Sequence, residues 1–159
     1  MRNFYNRNFI LLEFIISILL ILALAIWVQK FLPPESLNNW FKGIKTDFYS
    51  TIAQIAGALL GFIITAVSIV IVIAESEKLD LLRKSEHYPT LYRVFVVTIK
   101  YLAFTTGVAL IGMVFDRDAS SKYWITYICL FGVVLSIFGL ARCIWVLESL
   151  IVAVTKKDK

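Results

Sequence analysis

Few of the side chains able to do chemistry in this 159-residue chain stand where chemistry needs them. His87 is the only histidine, and it precedes Tyr88-Pro89 with no acid pair, phosphate-binding loop, CxxC or zinc spacing to accompany it. Cys129 and Cys143 fall on one predicted helix, cannot bridge each other in place, and read as small reduced core residues. Asp116 and Asp118 could attract a cation, but nothing nearby completes a cage, so Asp116–Lys122 reads as a short solvated turn. These residues predict no enzyme, no metal and no cofactor. Two kinds of residue remain: charges inside apolar runs (Lys100, Arg142 and Glu148, with Glu13 as a further acid) and a line of small and polar residues in Ser50–Ser76.

That line is the most organised feature of the chain. No charge occurs between Asp47 and Glu75. Wound as a helix, the stretch brings Ser50, Thr51, Gln54, Gly57, Ala58, Gly61, Thr65 and Ser68 within about 60° of one line. Ile52, Ile55, Leu59, Ile63, Val67 and Val70 take the opposite face. A membrane helix with a polar, glycine-rich stripe needs another helix or water against it.

The elements that must position these residues are set by composition. With 60% hydrophobic and 17% charged residues and a mean hydropathy of +0.82, the chain is expected to lie in a membrane. Four apolar runs can each cross a hydrocarbon core of about 30 Å. The fold class predicted is all-α: one domain of four transmembrane helices over about 9–32, 48–74, 91–115 and 123–153. Residues 1–8 read as a polar tail. An outer loop over 33–47 carries a short interfacial helix, because Leu37, Trp40, Phe41 and Ile44 recur at helical spacing. The second span continues as a cytoplasmic projection over 75–88, ended by Pro89, and the fourth also overruns the bilayer.

Net charge is +5, and its placement favours a cytoplasmic location for both termini and the 75–88 segment. Lysines 156, 157 and 159 suit anionic lipid of the inner leaflet. Lys100 is expected to snorkel to the headgroups, with a buried pairing to Glu13 or Glu148 as the alternative. Arg142 and Trp145 mark the cytoplasmic interface of the fourth span.

Small residues also line the third span (Thr98, Thr105, Ala109, Gly112) and the fourth (Cys129, Gly132, Ser136, Gly139, Cys143). Spans two, three and four are therefore expected to pack through these faces, with the first span outside. Two functions remain open. Several copies, a tetramer being favoured, assemble so that Gln54, Gly57, Gly61, Thr65 and Ser68 line a pore. Alternatively the stripe is a packing seam in a membrane sensor or scaffold, and a cytosolic protein docks on the projection, through Lys78, Arg83 and Lys84, and on the C-terminal end of the fourth helix. The bilayer is the other partner, and direct contact with nucleic acid is not expected.

The stretches TIAQIAGALLGFIITAVSIV (Thr51–Val70) and ESEKLDLLRK (Glu75–Lys84), set in a four-span layout with a charged central loop, resemble small bacterial anti-phage membrane proteins. These are the RexB-like proteins of prophage exclusion and the membrane subunit of the Kiwa system. The resemblance covers most of the chain as layout and carries no diagnostic motif. It implies a multi-pass protein of the bacterial inner membrane acting in phage defence or a stress response. Its role there would be either a channel-like effector that depolarises the cell or an oligomeric sensor with a cytosolic DNA-binding partner. No residue-level role carries over.

Overall fold

A computed structural model describes residues 2–31, 43–74, 88–116 and 123–155. Its regular structure there is wholly helical: α1 (Arg2–Phe31), α2 (Lys45–Ala74), α3 (Tyr88–Phe115) and α4 (Tyr123–Thr155). All four are long and apolar enough to cross a membrane, over Leu11–Val28, Lys45–Ile69, Tyr92–Phe115 and Trp124–Glu148, and they fit a multi-pass membrane protein. Three ends move against the sequence reading. Helix α1 runs back through residues 2–8 instead of leaving a tail, and α2 begins at Lys45, three residues before Phe48. Tyr88, assigned above to the end of the projection, opens α3, and Pro89 takes a first-turn position where its missing N–H costs nothing. The interfacial helix expected within 33–47 falls largely on 32–42, outside the described residues. The projection at 75–87 and its docking residues Lys78, Arg83 and Lys84 also lie outside them.

Helix α3 is the hub, packed against both α2 and α4, while α1 packs against α4. Two apolar clusters hold the bundle. Ala56, Ile63, Val94, Phe95, Leu102 and Cys143 form one. Tyr49, Ala109, Ile125 and Cys129 form the other, nearer the start of α2 and the end of α3. Helix α1 packs chiefly against α4 and so sits at the edge of the bundle, as expected from its lack of glycine. Its buried side chains are nevertheless polar: Glu13 and Ser17, one turn apart.

Candidate functional site

The seam between α3 and α4 is built as the small residues suggest. A Cβ on Gly132 would lie 2.7 Å from Thr105 Oγ1, and one on Gly139 would lie 3.0 Å from Thr98 Oγ1. The helices approach that closely because neither glycine has a side chain. The threonines use the approach for hydrogen bonding. Thr105 Oγ1 is 2.9 Å from Ser136 Oγ, and the Thr98 hydroxyl lies 3.1 Å from the Gly139 carbonyl oxygen. Cys143 Sγ donates to Thr98 Oγ1 at 3.2 Å. Each such bond contributes about 0.6 kcal/mol and at most about 1.7 kcal/mol between apolar helices. The cysteines are both free and buried, and serve this seam.

At one end of the bundle sits a polar cluster that includes Asp116, the first residue of the expected solvated turn. The rest of that turn, 117–122 with Asp118, lies outside the described residues. Asp116 is buried, not solvated, because the end of α3 backs onto the start of α2. Lys45 Nζ lies 3.2 Å from Asp116 Oδ1, with the two side chains 6% and 0% exposed. Tyr49 Oη donates to Asp116 Oδ2 at 2.6 Å, and Thr126 Oγ1 from α4 donates to the same oxygen at 3.2 Å. One carboxylate thus ties α2, α3 and α4 together with every bond to it charge-assisted.

The Tyr49 ring reaches this position across Gly112, where an added Cβ would meet ring carbons at 2.6–2.9 Å. The ring is anchored by its hydroxyl and cannot swing aside. Gly112→Ala is therefore expected to destabilise the bundle by about 1–3 kcal/mol. Gly57→Ala, at a position with nothing within 4 Å, is the control that should leave the unfolding midpoint in detergent nearly unmoved.

A second buried charge pair joins α1 to α4. Arg142 Nη2 meets Glu13 Oε1, with the side chains 10% and 8% exposed. Arg142 is thus a buried partner and not a free interface marker. Its acid is Glu13, offered above to Lys100. The neighbouring Phe14 and Phe131 rings meet edge to face, with centroids 5.3 Å apart. Lys100 and Glu148 are both exposed.

The stripe on α2 behaves differently from the small faces of α3 and α4. Helix α2 meets its neighbours through Tyr49, Ile52, Ala53, Ala56 and Ile63, with Leu59, Leu60 and Val67 packed beside them. Gln54, Gly61, Thr65 and Ser68 are exposed and Gly57 is half-buried. This corrects the expectation that α2 packs inside the subunit through its small face: nothing would meet a Cβ at Gly57 or Gly61 within 4 Å. The polar groups turn back on their own helix. Gln54 Nε2 donates to Ser50 Oγ at 3.0 Å, Thr65 to the Gly61 carbonyl and Ser68 to the Ile64 carbonyl, each at 3.0 Å. Such bonds spare each group the cost of lipid contact and leave a smooth, weakly polar surface.

The structure therefore keeps Gln54, Gly57, Gly61, Thr65 and Ser68 on one helix surface, with Lys100 on α3 and Arg142 and Glu148 on α4. The sequence reading missed the cluster of Lys45, Tyr49, Asp116 and Thr126. Its one available signal was Lys45 and Tyr49 at i, i+4 on the opening turn of α2. No group of three or more metal-ligating side chains occurs among the described residues. No family model matches the chain, and neither a curated protein nor a solved structure matches it.

Proposed function

We propose that the chain is the subunit of a homo-oligomeric pore or channel-like effector that perturbs the bacterial inner membrane in phage defence or a stress response. The observation that carries this reading is the exposure of the α2 stripe. Gln54, Gly61, Thr65 and Ser68 face away from the rest of the subunit, while the other side of α2 is committed to α3. A weakly polar, glycine-bearing surface lets a second copy approach closely and offers amide and hydroxyl groups to water. In a ring of copies, a tetramer being favoured, Gln54 would stand toward the axis and Gly57 and Gly61 would permit narrow approach. The path carries no charged ring between Asp47 and Glu75, so such a pore would discriminate weakly between cations and anions. Both termini would lie in the cytoplasm.

The test is electrical. Gln54→Leu and Thr65→Leu are expected to abolish membrane depolarisation in cells and single-channel current in planar bilayers, while assembly on gels persists. Unchanged current in both variants would overturn pore lining. If charge reversal at Lys78, Arg83 and Lys84 then removed a co-purifying cytosolic protein, the platform reading would take its place.

A further inference from the structure

Lys100 is a cation in an apolar span with no protein partner among the described residues. It lies on α3, eight positions beyond the start of the Tyr92–Phe115 span, which is about 12 Å along the helix axis. With that 24-residue window centred on a hydrocarbon core of about 30 Å, its Cα would lie roughly two turns inside the core edge. Its side chain is exposed on the bundle surface, so in a bilayer it meets lipid. The acids the sequence offered it are not available as partners: Glu13 is held by Arg142, and Glu148 is exposed on α4 without an ion pair to Lys100. An ammonium is compact and strongly hydrated, and its stem covers only part of the distance to water. The same surface carries exposed Arg93 two turns nearer the membrane edge, and beside it Tyr92, 51% exposed and suited to the headgroup belt.

We propose that Lys100 is a binding site for an anionic phospholipid. The lipid belongs to the leaflet at the N-terminal end of α3, and its phosphate is drawn down past Arg93 to the Lys100 ammonium. The bilayer thins locally there, and the acyl chains lie against the exposed apolar side chains of α3, such as Phe104 and Ile111. The lipid supplies the counter-charge that the protein does not. This inference rests on membrane insertion, which the pore reading also assumes, but not on the pore itself.

The experiment uses the full chain in detergent with added phosphatidylglycerol or phosphatidylcholine, read by native mass spectrometry. Wild-type protein is expected to retain phosphatidylglycerol selectively. Lys100→Gln should lower that affinity about fivefold, the effect of one cation at the membrane surface, with phosphatidylcholine binding unchanged. Lys157→Gln, in the basic tail, should not remove the same lipid. Equal phosphatidylglycerol retention by wild type and Lys100→Gln would overturn the proposal, as would an equal loss of both lipids. Should Lys100→Gln not fold, amine labelling of wild-type protein decides: phosphatidylglycerol, unlike phosphatidylcholine, must shield Lys100. A crosslink from Lys100 to a carboxylate of a second copy would assign the counter-charge to protein and also overturn it. Release of the chain from membranes by alkaline carbonate would remove the membrane reading separately.

Discussion

Arg142→Gln is expected to lower the stability of the folded bundle by about 3–5 kcal/mol, because it leaves the Glu13 carboxylate buried without its cation. Glu13→Gln should cost less, because Arg142 keeps a further contact besides Glu13. The informative variant is the pair Glu13→Leu with Arg142→Leu. Two charges in an apolar seam gain their attraction only after a large desolvation cost, and apolar replacements of similar size are often neutral or stabilising. Here the balance tips further toward replacement, since Glu13 Oε2 has no hydrogen-bond partner among the described residues. The double variant should therefore unfold at or above the wild-type midpoint in a titration with denaturing detergent. Reversing the pair, Glu13→Arg with Arg142→Glu, should recover part of what either reversal alone loses. If each single variant matched wild type, the pair would be no more than a surface contact.

The second large effect is at the other polar cluster. Asp116→Ala removes the acceptor for Lys45, Tyr49 and Thr126 at once, and the Lys45 side chain is only 6% exposed. The expected loss is again about 3–5 kcal/mol. Asp116→Asn keeps the shape and one acceptor oxygen but not the charge, and should fall between wild type and alanine. Tyr49→Phe removes a single hydrogen bond to a charged group, worth about 1.5–3 kcal/mol, and leaves the ring in place over Gly112. The ordering alanine, then asparagine or phenylalanine, then wild type is the measurable outcome. An Asp116→Ala variant as stable as wild type would mean that Lys45 escapes to water. Because the two clusters share no side chain, their losses should add to within about 0.5 kcal/mol.

The helices themselves were legible because span length and hydropathy are local properties, and a run of about 20 apolar residues has few other uses. The α3–α4 seam was legible for a related reason: Gly132, Ser136 and Gly139 recur at helical spacing, and so do Thr98 and Thr105. Periodicity, however, says that a face is small or polar and not what lies opposite. The same kind of line that buries Gly132 against Thr105 leaves Gly61 in open space. The two charge pairs were illegible for a further reason. Lys45 and Asp116 are 71 positions apart, and their meeting depends on how the ends of α2 and α3 align. Glu13 meets Arg142 only because α1 settles on α4, a choice of neighbour that no spacing within either helix encodes.

The settling of α1 on α4 also has a consequence for synthesis. Helix α1 is made before α4 and lacks its buried partner until α4 follows. At about 5–20 residues per second that wait is on the order of ten seconds. Through that interval Glu13 is without Arg142. The bundle is thus closed when α4 joins it. Chains stalled before α4 would leave Glu13 without Arg142.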